Sequence, residues 1–240
     1  MRNIAHRGAS GHRPENTRAA FDLAIQMGAD AIETDVQITA DGELVLFHDS
    51  RVDRTSDGHG PVASYTLEEI RRLDIGSWMG DDVDPQQVLT LTEMVDEYLN
   101  RIPVVFEIKD PRATTALMAL LGDLSSSANQ WEVTSFSWGA LLDARVIAPD
   151  ATLGFLSPVF DEDIVERCVA AGFRQICPAV EALTAETVQL AHTAGLVVRA
   201  FGIRTPADID LLFTTKADGA TVNWPEWIRE RERMADRAAG

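Results

Sequence analysis

Three features of the sequence predict a TIM (β/α)8 barrel. Eight strand-like runs alternate with helical patterns, the 240 residues are the length that one such barrel needs, and no Gly-x-Gly-x-x-Gly follows the first run to indicate a dinucleotide-binding sheet. The runs fall at 3–6, 31–37, 104–109, 133–136, 152–156, 175–179, 196–201 and 219–223. Between the first two, residues 17–27 carry Phe21, Ala24 and Ile25 at helical spacing, with Gly28 as a stop. Such alternation indicates a parallel sheet with helical crossovers, and eight units in this length suit a closed barrel better than an open doubly wound sheet, which is the second reading.

One stretch breaks the alternation. Residues 43–48 read as half of a hairpin, Asp57-Gly58-His59-Gly60-Pro61 as a turn-rich segment, and residues 67–73 as a short helix. They predict a small subdomain inserted after the second strand, at about 49–88, on the catalytic side of a single domain spanning 1–240. The tail from Trp227 reads as a last helix that frays.

Hydrophobic residues make up 45% of the chain and charged residues 25%, an ordinary globular balance. With 21 Lys and Arg against 38 Asp and Glu, the net charge of −17 disfavours nucleic acids and anionic membranes as partners. Cys168 and Cys177 lie in apolar surroundings without Cys-x-x-Cys spacing and read as buried thiols. The first residues run straight into a strand without the pattern of a signal peptide, and no segment reaches the ~18 apolar residues of a membrane span. Cytoplasmic residence is the expectation.

Barrel enzymes place their chemistry at the C-terminal ends of the strands. There, Glu33 and Asp35 lie two apart, so the period-two alternation of a strand turns both carboxylates to one face, and Glu107 and Lys109 repeat the pattern. Three converging carboxylates repel unless a cation sits between them, and all-oxygen ligation selects a hard divalent ion, Mg2+ or Ca2+. Glu33, Asp35 and Glu107 are therefore assigned as metal ligands. Taken singly, each would rather cap a helix or pair with a rim cation.

His6 ends the first strand and His48 the hairpin, and a histidine pair can divide acid and base roles near neutral pH. His12, His59 and His192 fall in loop or helix contexts and read as surface groups. Arg7 and Lys109 supply fixed positive charge for an anionic phosphate. Glu15, in Pro14-Glu15-Asn16-Thr17, is placed to brace Arg7, to touch the metal site, or simply to favour the helix dipole, while Asn16 or Thr17 caps the first helix.

His6-Arg7-Gly8, Pro14-Glu15-Asn16-Thr17, Glu33-Thr34-Asp35-Val36, His48-Asp49, Arg54-Thr55, Leu67-Glu68-Glu69-Ile70, Gly76-Ser77-Trp78, Thr90-Leu91-Thr92-Glu93 and Phe106-Glu107-Ile108-Lys109, in this order, resemble the glycerophosphodiester phosphodiesterase family. The likeness is dense from residue 4 to about 110 and thinner beyond. It implies a barrel with an inserted subdomain, a divalent cation, and hydrolysis of a small glycerophosphodiester to sn-glycerol 3-phosphate and an alcohol. It carries His6 and His48 over as the acid/base pair, Arg7 and Lys109 as phosphate binders, and the three carboxylates as ligands.

Two late segments depart from the family pattern. Phe201-Gly202-Ile203-Arg204 stands in place of Trp-Thr-Val-Asn, and Val222-Asn223-Trp224-Pro225 in place of Thr-Asp-Tyr-Pro. Phe201 and Trp224 are expected to line the alcohol side of the substrate pocket, and Asn223 to tune charge around the site rather than perform chemistry. Two other functions compete: a lysophospholipase D-like activity on the same barrel, which needs an apolar groove, and a phosphodiester-binding module without catalysis, which has no use for a paired acid and base.

Overall fold

The computed structural model describes residues 1–80, 82–124 and 130–239. Its sheet consists of β1 (Arg2–His6), β2 (Ala31–Ile38), β3 (Leu44–Leu46), β4 (Val104–Ile108), β5 (Trp131–Ser135), β6 (Leu153–Ser157), β7 (Gln175–Pro178), β8 (Val197–Ala200) and β9 (Gly219–Val222). β1 pairs in parallel with both β2 and β9, which closes eight parallel strands into a barrel, and β3 adds antiparallel to β2 outside the ring. Each predicted strand is present, with ends differing by one or two residues.

The helices are α1 (Arg18–Gln26), α2 (Leu67–Ile70), α3 (Leu91–Tyr98), α4 (Thr114–Gly122), α5 (Trp138–Ile147), α6 (Glu162–Ala170), α7 (Ala185–Thr193), α8 (Pro206–Thr215) and α9 (Pro225–Ala239). Their starts are written locally. Thr17 caps α1 by accepting from the Ala20 amide, and Thr90 and Glu93 form a reciprocal capping box on α3. Phe21 and Tyr98, both fully buried, meet edge to face at 5.3 Å and tie α1 to α3 beneath β2.

The main core lies between barrel and helices. Ile4, Ala31 and Val105 form a separate apolar layer, and Val45, Phe47, Val52, Val62, Ile70, Ile75 and Val88 form a third cluster. The third is drawn from the segment between β2 and α3, β3 included. Both cysteines are buried free thiols. Among the described residues no helix is long and apolar enough to cross a membrane.

Candidate active site

The site begins with the turn that leaves β1. Arg7 adopts φ 57° and Asn16 φ 58°, left-handed conformations that side chains rarely hold and that concentrate where function over-determines the backbone. Gly8, at φ 80°, is obligatory: a Cβ there would lie 2.5 Å from the Ala20 carbonyl carbon. This turn brings Arg7 Nε to 3.0 Å from Asp35 Oδ2 and Nη1 to 2.9 Å from Glu15 Oε1, while its amide donates to Glu33 Oε2 at 3.1 Å.

Glu33, Asp35 and Glu107 come together as the alternation predicts, each offering an oxygen within 4.8 Å of the others. All three are buried. Burial raises Glu33 well above the usual carboxylate range, and Asp35 and Glu107 push it further. Burial and Asp35 also raise Glu107. Asp35 goes the other way: burial pushes it up, but the Arg7 and Lys109 cations outweigh that and hold it low. Among the described residues, Glu33 Oε1 and Asp35 Oδ1 are buried without any hydrogen-bond donor. Oxygens left orphaned within a like-charged trio fit a hard divalent cation as their common partner.

Lys109 Nζ donates to Glu107 Oε1 at 2.7 Å and stands 3.7 Å from Asp35 Oδ1. These carboxylates hold its pKa up against burial. His6 Nδ1 donates to Asn223 Oδ1 at 2.6 Å, which turns Nε2 toward Glu33 Oε2 at 3.9 Å. Enclosure of the ring and the charge of Arg7 lower His6 to about 3. His48 Nδ1 donates to Asp49 Oδ1 at 2.5 Å. Burial lowers His48 too, with Asp35 and the Asp49 hydrogen bond opposing.

These groups open on one cavity of about 320 Å³ at the C-terminal ends of the strands. His6, Arg7, Glu33, His48, Glu107, Lys109, Phe201 and Asn223 all line it. Phe136 and Phe201 form one wall, edge to face at 5.2 Å. Glu15 stands behind Arg7, accepting from its Nη1 and from Arg54. Trp224 is a correction: it does not line the cavity, because its indole stacks on Trp227 at 4.5 Å and covers Gly11.

Sequence reasoning missed three contributors. Asn16, expected only as a cap, donates through Nδ2 to Asp35 Oδ2 at 2.9 Å and accepts from the Thr34 hydroxyl at 2.8 Å. Arg54 donates to both Glu15 oxygens, at 2.9 and 2.7 Å, and from Nε to Asp49 Oδ2 at 2.7 Å. Asp49 is held down at about 2, its burial overcome by Arg54 and His48. The only sequence signal was the motif context in which Asn16, Asp49 and Arg54 stand.

A barrel that gathers donor-starved carboxylates beside fixed cations and paired imidazoles is the framework of a hydrolase for anionic esters. The sequence profile of the glycerophosphoryl diester phosphodiesterase family matches residues 6–226, and the chain belongs to that family. It is 31% identical to a glycerophosphodiester phosphodiesterase of Bacillus subtilis, over 93% of this chain and 83% of that one. The fold superimposes on a glycerophosphodiester phosphodiesterase from Agrobacterium tumefaciens with a TM-score of 0.79 at 30% identity, covering 94% and 97% of the two chains. It also superimposes on an Oleispira antarctica phosphodiesterase solved with its product sn-glycerol-3-phosphate, with a TM-score of 0.84 at 28% identity, covering 95% and 94%.

Proposed function

We propose that this protein hydrolyses glycerophosphodiesters to sn-glycerol 3-phosphate and an alcohol, as a single catalytic domain with an insertion at about 49–88. Glu33, Asp35 and Glu107 hold a divalent cation, His6 and His48 move protons, and Arg7 and Lys109 bind the phosphate. The observation that carries the reading is the convergence of these seven side chains, from separate elements of the chain, on a single cavity or its wall. Family membership agrees with it. A lysophospholipase D-like activity is the second reading, supported by the aromatic wall of Phe136 and Phe201.

The chain's own groups divide the work. Arg7 offers a planar fork to two phosphate oxygens and Lys109 a point charge. His6 is neutral at physiological pH, and its bond to Asn223 places the proton on Nδ1, so Nε2 faces the cavity as a base. His48, with the Asp49 carboxylate behind it, is suited to carry a proton to the leaving alcohol. The bound cation supplies charge neutralisation and Lewis-acid polarisation of the phosphate.

The buried Cys168 and Cys177 are unfit as nucleophiles, and the substrate carries its own candidate in the glycerol 2-hydroxyl. Attack by that hydroxyl on phosphorus expels the alcohol and leaves a cyclic phosphate, which water then opens; its covalent tether avoids much of the entropy of capturing water. The reading is tested on glycerophosphocholine and on its analogue lacking the 2-hydroxyl. The parent is expected to release glycerol 3-phosphate and the analogue to react at least about a hundredfold more slowly. Equal rates would assign the attack to water. No product from the parent, across several headgroups and added Mg2+ or Ca2+, would overturn the reading itself.

Asn223→Asp is expected to keep turnover within about tenfold, because the replacement still accepts from His6 Nδ1. The added negative charge favours the protonated ring, raises the His6 pKa and moves the acid limb of the pH–rate profile upward. An unmoved limb would show that His6 is not the group being titrated.

A further inference from the structure

Beneath the carboxylates the barrel holds a cation that the proposed chemistry leaves unused. Arg199 lies on β8, only 3% exposed, and lines the same cavity as the histidines. Its backbone is level with Gly219, yet its Nη1 donates to the hydroxyl of Thr221, two residues closer to the C-terminal end of β9. The side chain therefore climbs toward the catalytic mouth. Among the described residues its other nitrogens, Nε and Nη2, which share one edge of the guanidinium, have no oxygen or nitrogen partner, and the guanidinium also lies against the Cys177 thiol. The buried hydroxyl of Thr134 on β5, which lines the cavity as well, likewise lacks a hydrogen-bond partner among these residues.

The neighbouring cations are already answered. Arg7 has Glu15 and Asp35, Lys109 has Glu107, and Arg204 at the rim has Glu181. In a protein of net charge −17, the cavity is lined by Arg7, Lys109, Arg199 and Arg204 against only Glu33 and Glu107. A buried guanidinium without a counter-charge is unfavourable, and a ligand that brings one recovers that free energy. The two parallel donors of the free edge match the two coplanar oxygens of a carboxylate, and the Thr134 hydroxyl adds a third donor.

We propose that Arg199, with Thr134 and Thr221, forms a carboxylate subsite at the floor of the cavity, selecting glycerophosphodiesters whose leaving alcohol carries a carboxyl group. The glycerol half of such a substrate bears only hydroxyls, so the carboxylate belongs to the alcohol half. The inference rests on the phosphodiesterase reading above and narrows its substrate class.

Glycerophosphoserine and glycerophosphoethanolamine differ only by that carboxylate, which makes them the discriminating pair. The wild type is expected to show a kcat/KM at least about tenfold higher for the serine compound. Arg199→Met should bring the ratio close to one, chiefly by raising KM for glycerophosphoserine, and Arg199→Lys, which keeps the charge but loses the fork, should fall between. Thr134→Val should lower the ratio in the same direction, and it decides the matter if Arg199→Met fails to fold by circular dichroism. Equal use of both substrates by the wild type, or a ratio unchanged by these substitutions, would overturn the subsite while leaving the phosphodiesterase reading intact. Cleavage of neither substrate would overturn the subsite, and the phosphodiesterase reading with it only if glycerophosphocholine also gave no product.

Discussion

Stripping the protein of divalent ions with EDTA is expected to lower turnover by at least about 10³-fold, with recovery on adding Mg2+ or Ca2+. Without a cation the phosphodiester anion must approach three carboxylate groups that lie within 4.8 Å of one another. Arg7 and Lys109 do not offset them fully, because burial and mutual repulsion still drive Glu33 and Glu107 toward their protonated forms. Glu33→Gln should reproduce much of the loss and weaken ion binding measured directly by calorimetry. Full turnover in excess EDTA, with the ion shown absent by elemental analysis, would remove the metal assignment.

His6→Ala and His48→Ala are each expected to lower kcat by roughly 10²–10⁴-fold, the range for a lost general acid or base. The double variant should lose far less than the product of the two, since a proton relay already broken at one end gains little from the other. The environments separate the roles. His6 is pushed down to about 3 and is neutral across the working range, whereas His48 has a carboxylate partner. A phosphodiester with an activated leaving group, which needs little protonation, should therefore restore much of the rate of His48→Ala and little of that of His6→Ala. Rescue in the opposite order would exchange the two assignments.

Much of this site was legible because it is written in strand periodicity. Glu33 and Asp35, or Glu107 and Lys109, share a face when their segments are strands, and eight strands in series in this length suit a barrel, whose mouth gathers them. The closing pair β1 and β9 could be inferred from that count, although nothing local encodes it. What sequence could not supply was the direction of side chains beyond the strand ends. Trp224 follows β9 immediately, yet it turns back onto Trp227 and Gly11 instead of facing the substrate cavity. Asn16 looked like a helix cap because its left-handed backbone, which aims it at Asp35, is set by the tertiary turn around Arg7. Arg199 reads as one polar residue in an apolar strand, and its significance depends on which atoms lack partners. Arg54 acts across 39 residues, a separation that no local pattern spans.

Arg54 ties the proposed catalytic groups to the segment between β2 and α3. That segment has a modest apolar cluster, to which β3 contributes, and through Arg54 it fastens Glu15 behind Arg7 and Asp49 behind His48. Units with little buried surface open at lower free energy than the fold that carries them. Opening of this segment alone is expected to free Arg7, the proposed phosphate clamp, and His48 together, while the barrel keeps its strands and helices. In a urea titration, activity should therefore disappear before the far-ultraviolet circular dichroism signal does, and coincident curves would mean that insertion and barrel melt as one. If activity is lost first, the barrel survives mild stress intact but silent, and function returns on refolding about forty residues rather than the whole chain.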